Sequence, residues 1–352
     1  MLPAPVTLSV LAKNCQLSVA TVSRALSGHP NVKPEVRARV LRVAEQCGYR
    51  RNQLVSELMG QMRGRRTQQF IGNLAVVHVP TPSQPAMRPM QRRMITSAQA
   101  RGQELGFAVE VFSLNRESGG PATLGRVLRA RGIVGVIFLQ PNSNDTTNGF
   151  PWANFATLQI DYGSPIPKLH TVCLDHHLTL TSALGQLRSL GYGRAGMFIE
   201  RHKDERLIHK WSAAFRSFQE NQGGIDHLPV LMADHMNPAT FMDWYRRHRP
   251  DLIIGHVDQV LGWLRAAGVS APADIGFFNL NWNERSETCA GLDLQPELHG
   301  IVAVETIAAQ IHRHESGLPD DPRTVAISGK WVDGPTVRAT AAAPERHAAP
   351  TH

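Results

Sequence analysis

The chain has 352 residues, 42% of them hydrophobic, with a formal net charge of +8 and four cysteines. That length can bury more than one core, while Cys15, Cys47, Cys173 and Cys289 form no CxxC pair, which argues against a thiolate zinc site or a disulfide framework. No apolar run approaches the roughly 20 residues needed to span a bilayer, and the start MLPAPVTLSV lacks the regions of a secretory signal, so a reducing cytoplasm is expected.

Residues 1–69 hold 11 Lys and Arg against 3 Glu, and therefore carry the whole net charge; the remainder of the chain is balanced. A surface field decays within about 10 Å at moderate salt, so charge gathered on one short segment reads as a footprint for phosphates. Apolar residues there fall at helical spacing in three short groups: Leu8, Leu11 and Ala12; Val19, Val22, Ala25 and Leu26; Val36, Val40, Val43, Ala44 and Cys47. Three small helices can share one core. Ser18 stands where an N-cap is wanted, Gly28 and Pro30 stop the second helix, Pro34 suits the first turn of the third, and Gly48 follows its end. Asn52 then caps a short amphipathic stretch with Leu54, Val55, Leu58 and Met59 on one face, followed by the basic linker RGRRTQQ.

From residue 70 apolar β-rich runs alternate with helical ones. Strands are expected at 71–79, 108–114, 135–139, 156–161, 170–175, 195–200, 228–232, 251–256 and 274–280, with helices near 90–105, 122–131, 178–190, 207–220, 238–247 and 258–267. Such alternation implies parallel strands with crossover helices. The expected fold is a small all-α helix-turn-helix head plus α/β, in two doubly wound parallel-sheet lobes. The expected domains are a head at 1–50, a short helix and linker at 51–69, and a body at 70–338, with a disordered tail at 339–352.

In a helix-turn-helix the second helix lies in the major groove and offers its N-terminal side chains to base edges. Those would be Val19, Ala20 and Arg24, with Thr21 and Ser23 able to reach phosphates. The Arg24 fork matches guanine O6 and N7; Val19 and Ala20 could read only a thymine methyl or shape.

The stretch from Leu11 to Gly60, with TVSRALSG at 21–28 followed by Val32, Arg37, Val40, Gly48 and Tyr49, resembles the lactose-repressor (LacI/GalR) family of bacterial transcription regulators. The layout is similar to about residue 338, and the resemblance implies a hinge helix within 51–69 and two lobes each entered twice by the chain, the N-lobe at about 70–166 and 290–318 and the C-lobe at about 167–289 and 319–338. The resemblance implies a DNA-contacting set of Ser18, Val19, Ala20, Thr21, Ser23, Arg24, Asn31, Asn52, Val55 and Leu58. It also implies a hinge helix at 52–60 that folds on operator DNA and levers Leu58 into the minor groove, where an apolar wedge costs a few kcal/mol of unstacking and bends the duplex. Two departures stand out. Gln16 occupies a turn position where the family usually has glycine, and Cys15 replaces a usual alanine. The linker is also longer and more basic than is usual.

The family places a small molecule between two lobes that resemble periplasmic binding proteins. Ligands of open α/β sheets sit beyond the carboxyl ends of strands, which singles out Asp161, Asp258 and Asn281. The family's ligand-gripping arginine falls at Leu207, beside Arg206, and Lys210-Trp211 replaces its Gly-aromatic pair; Trp211 or Trp282 could stack on a sugar ring. The effector-binding set is therefore Asp161, Arg206, Trp211, Asp258 and Asn281.

The sixteen histidines lack HExxH or finger spacing, and no phosphate loop, nucleophile elbow or GxGxxG is present, so no metal, cofactor or catalytic residue is expected. The expected partners are double-stranded operator DNA, a sugar or related metabolite, and a second copy of the chain, since operators are two-fold symmetric. No membrane partner is expected, and the place is the bacterial cytoplasm, at the nucleoid. A solute-binding module without specific DNA recognition is the alternative.

Overall fold

The computed structural model describes residues 8–18, 21–22, 25, 32–47, 70–80, 86–114, 119–139, 147–161, 168–222, 226 and 228–339. The expectations on Val19, Ala20, Ser23, Arg24, Asn31, Asn52, Val55 and Leu58, on the hinge helix and linker, and on the C-terminal tail from residue 340 lie outside them. The described chain forms two units, up to Gln69 and from Phe70 onward.

In the first unit α1 spans Leu8–Asn14 and α2 spans Pro34–Gln46, with Thr21, Val22 and Ala25 helical between them. Leu11, Ala12, Cys15, Val22, Ala25, Val40 and Ala44 form one buried cluster. An amphipathic face is what makes such short helices stable, since each is marginal alone.

The second unit contains two six-stranded sheets, β11-β5-β4-β3-β1-β2 and β12-β10-β9-β8-β6-β7. The strands of the first are β1 Gly72–His78, β2 Phe107–Ser113, β3 Ile133–Leu139, β4 Ala156–Ile160, β5 His170–Leu174 and β11 Thr324–Ile327, all parallel. The strands of the second are β6 Ala195–Glu200, β7 Leu231–Ala233, β8 Leu252–Gly255, β9 Gly276–Asn279, β10 Ala290–Asp293 and β12 Lys330–Val332, of which β12 alone runs antiparallel.

Strands covered on both faces should be apolar throughout, and β3, β4, β8 and β9 are buried along nearly their whole length. Helices α3 (Pro89–Leu105) and α10 (Pro296–His312) cover one face of the N-lobe sheet around Met94, Ile95, Ala303, Val304 and Ile307, while α4 (Gly120–Ala130) covers the other around Leu124, Leu128, Phe138 and Phe150. In the C-lobe α5 (His176–Ser189) and α7 (Lys210–Gln222) cover one face, α8 (Pro238–His248) and α9 (Val260–Ala266) the other. A two-turn helix, α6 (Arg201–Arg206), follows β6.

Two expectations are corrected. The helix expected over 207–220 is broken at Leu207–His209, where Ile208 and His209 adopt positive φ of 54° and 57°. The cause is Asp204, fully buried, whose carboxylate accepts from the Ser212 hydroxyl at 2.6 Å and backbone N–H at 3.3 Å and lies 3.2 Å from His209 Nδ1. The lobe limits also move. β5 and β11, assigned from sequence to the C-lobe, pair with each other in the N-lobe sheet, whereas β10, assigned to the N-lobe, pairs with β9 in the C-lobe.

The chain therefore passes between lobes three times, at 174–176, 293–296 and 327–330. The crossings are bonded to one another. The Asp175 N–H donates to the Ile327 carbonyl at 2.8 Å, the Gly329 N–H to Thr179 Oγ1 at 2.9 Å, and the Gln295 amide to the Ser328 carbonyl.

Candidate functional site

The head is positioned by its turn. Lys13 and Ala12 carbonyls accept from Gln16 and Leu17 N–H at 3.1 and 3.0 Å, and Gln16 sits at φ 51°, the left-handed conformation that glycine adopts at least cost. Ser18 then caps the following helix, its Oγ accepting from the Thr21 N–H at 3.1 Å and lying 2.8 Å from Thr21 Oγ1. Arg39 of α2 donates to the Cys15 carbonyl at 3.1 Å, tying the third helix to the same turn. Burial pushes the Cys15 thiol upward in pKa, which makes it a packing residue. The base-reading expectations Val19, Ala20 and Arg24 follow immediately, outside the described residues.

In the second unit the carboxyl ends of β1, β4, β6, β8 and β9 bring His78, Asp161, Glu200, His256 and Asn281 to the cleft between the lobes. Two ion pairs cross it. Arg206 Nη1 of the C-lobe donates to Asp161 Oδ2 of the N-lobe at 2.7 Å, and Arg88 of the N-lobe lies 3.8 Å from Glu284 Oε2 of the C-lobe. Asp161 holds its carboxylate there from a left-handed backbone, φ 66°. Beside these pairs Glu200 takes Lys203 Nζ at 3.1 Å, His256 Nε2 at 3.3 Å and the Met236 N–H at 3.2 Å.

The electrostatics follow from burial. The hydrogen bond from His256 holds the Glu200 carboxyl well below the usual carboxylate range, while burial holds the His256 ring near a pKa of about 4, so the pair is a neutral imidazole donating to a carboxylate. Burial takes His176 to about 4 as well, and also lowers His78, Arg88 and Lys203. The cleft thus contains cations and anions at fixed positions and neutral rings between them.

Asn281 lies at the cleft with Nδ2 donating to Glu284 Oε2 at 3.2 Å; its Oδ1 and Glu284 Oε1 are buried with no hydrogen-bond donor in reach among the described residues. Two of the expected ligand residues are placed differently. Trp211 is 5% exposed, packed in the C-lobe core and edge-on to His176 with ring centroids 4.7 Å apart, so it presents no face for stacking. Asp258 is 4% exposed and accepts from Ser286 Oγ at 2.8 Å and from the Ser286 and Glu287 N–H groups, fastening the loop after β9. Trp282 instead carries the Arg285 guanidinium 3.5 Å over its ring centroid.

Sequence reasoning missed Arg88, Glu200, Lys203, His256 and Glu284. Glu200 and His256 close the apolar runs AGMFIE and LIIGH, so the strand-end rule that chose Asp161 applies equally to them. Arg88 lies in an irregular, proline-bearing stretch without a pattern. Among the described residues no three His, Cys, Asp or Glu are grouped to hold a metal ion, and no helix is long and apolar enough to cross a membrane.

Residues 7–52 match the family model of bacterial regulatory proteins, lacI family. The chain is 50% identical over 54 residues to the HTH-type transcriptional regulator AglR of Rhizobium meliloti (strain 1021), and 49% identical over 47 residues to catabolite control protein A of Priestia megaterium. Those matches cover 15% and 14% of the two relatives. Over nearly its full length the chain is similar in fold to the solved transcriptional regulator CelR–cellobiose complex, with TM-score 0.56 at 17% identity, covering 94% of this chain and 99% of that one. It is also similar to the lac repressor dimer bound to operator and the anti-inducer ONPF, with TM-score 0.54 at 17% identity, covering 96% and 100%.

Proposed function

We propose that this chain, whose N-terminal head is that of the lacI family, is a sequence-specific DNA-binding transcription regulator controlled by a small molecule. The observation that carries this is the head itself: a motif match over residues 7–52 coincides with a helical core and a capped second helix, within the segment 1–69 that carries the entire net positive charge. In this reading Ser18, Val19, Ala20, Thr21, Ser23, Arg24 and Asn31 meet the major groove and its phosphates, and Asn52, Val55 and Leu58 act in the hinge. The protein is a repressor that works as a homodimer on a two-fold operator, in the bacterial cytoplasm at the nucleoid, and performs no catalysis.

The effector, a sugar or related metabolite, binds between the lobes at Asp161, Arg206 and Asn281, joined by Arg88 and Glu284. Cellobiose in the structural relative CelR supports a ligand of that kind. Because Asp161–Arg206 and Arg88–Glu284 connect opposite lobes, a ligand that exchanges these bonds for its own changes the lobe angle. That is the differential interaction a population shift requires, with a coupling of typically 1–3 kcal/mol.

A gel shift of the full chain with its own upstream DNA tests the reading. Sequence-selective retention, and a larger loss on the operator than on random DNA for Arg24→Ala, is the expected result. Equal retention of every sequence at low salt would leave only a solute-binding module with a basic segment.

A further inference from the structure

Arg206 reaches the opposite lobe from a strained stretch of backbone. It is the last residue of α6, and α7 begins at Lys210. Between them Ile208 and His209 are both left-handed, a conformation that a β-branched residue adopts only under constraint. The Ile208 side chain supplies none, because the residue is 63% exposed. The constraint is Asp204.

Asp204 grips the turn from both ends. Its backbone carbonyl accepts from the Leu207 N–H at 3.1 Å and the His209 N–H at 2.8 Å, which closes the chain around Arg206. Its carboxylate reaches past the turn to the Ser212 hydroxyl and N–H in the first turn of α7, and meets His209 Nδ1 as well. A carboxylate buried without such partners is costly, so the fully buried Asp204 and this turn require each other.

The next residue shows what the turn achieves. Leu207, which stands where the resemblance places an arginine, is buried in the C-lobe core together with Trp211. Arg206, one residue earlier, leaves the core with its side chain 26% exposed and donates to Asp161 across the lobes. If 207–209 became helical, α6 would swing about the end of α7 and carry the Arg206 backbone with it. A hydrogen bond between charged groups is lost over a displacement of that kind.

Resting on the reading of the cleft as the effector site, we propose that Asp204 is a positioning residue. It is walled off from any ligand, and it acts by presenting Arg206 to Asp161.

A double-mutant cycle on the full-length protein tests this. Asp161→Asn and Arg206→Gln together should lower the urea midpoint by less than the sum of their separate effects, the signature of a direct pair. In an Asp204→Ala background the two effects should become additive, whereas Asp204→Asn, which keeps an acceptor, should retain part of the coupling. Ser212→Ala should weaken the coupling and Ser212→Thr preserve it; these two replace Asp204→Ala if that variant fails to fold. Affinity for the upstream duplex should change about fivefold or more for Asp204→Ala, by the same factor as for Arg206→Gln, and combining the two should add nothing. Coupling that survives Asp204→Ala, or Ser212→Ala in its place, overturns the proposal and leaves Asp204 purely structural. A cycle already additive in the wild-type background overturns it too, since there is then no pair to position. Coupling that disappears while every variant binds the duplex as the wild type does upholds the positioning and refutes the cleft as the regulatory site.

Discussion

Asp258→Ala separates a structural role from a ligand-binding one. The carboxylate is 4% exposed and accepts from the Ser286 hydroxyl, the Ser286 N–H and the Glu287 N–H. A hydrogen bond to a charged group contributes roughly 1.5–3 kcal/mol when buried. The Ser286 loop is partly open to water and removing the carboxylate also removes its desolvation cost, so the net loss is expected to be about 2–3 kcal/mol, well below the sum of three such bonds. For a body of this size about 1 kcal/mol lowers the melting temperature by roughly 2–4 °C, so the variant should melt about 5–10 °C lower. Asp258→Asn keeps an acceptor and should lose about half as much. Differential scanning calorimetry measures both, with ligand titration on the same samples. An unchanged melting temperature combined with lost effector binding would refute the structural assignment and return Asp258 to the ligand site.

Three further outcomes are expected. Gly300 of α10 leaves room for the α3 backbone, since a Cβ there would stand 2.1 Å from the Met94 carbonyl oxygen; Gly300→Ala should cost about 1–2 kcal/mol net of its gain in helix propensity, read as a lower urea midpoint, and a higher midpoint would contradict the close approach. His176 and His256 have folded-state pKa values of about 4 against about 6.5 unfolded. The unfolded chain therefore binds more protons between those values, and stability should fall as pH drops from about 6.5 to 4, by up to about 3 kcal/mol for each ring; a urea midpoint flat across pH 7 to 5 would contradict neutral burial. Gln16→Gly should relieve the left-handed turn and stabilise the head by about 0.5–1 kcal/mol, seen as slower amide exchange in residues 8–18.

The head was legible because its determinants are local. Leu11, Ala12, Val22, Ala25, Val40 and Ala44 stand at helical spacing and all are buried, and Ser18 caps the residues that follow it. The lobes were legible as alternating runs, since a strand covered on both faces must be apolar from end to end. Their limits were not, because β5 and β11 are neighbours only through pairing across half the chain, a fact no local pattern carries. The cleft was half legible for a related reason. Ending a strand places a residue at the right edge, as with Asp161, but does not decide whether the side chain faces ligand or, like Asp258, a neighbouring loop. Trp211 stands at helical spacing with Ala214, Phe215 and Phe218 and packs with them in the C-lobe core, the place its apolar period assigns it, so its aromatic character alone did not mark a ligand contact.

The three passages of the backbone between the lobes have a consequence for manufacture, in the cell and at the bench. Neither lobe is a contiguous stretch of gene, for the ribosome completes neither sheet until β11 and β12, which follow all the other described strands, have emerged. A nonsense codon at about residue 294 would deprive the N-lobe of α10 and β11 and the C-lobe of β12 at one stroke. Such a product should be degraded whole, and cutting the gene at a lobe limit should yield no soluble half.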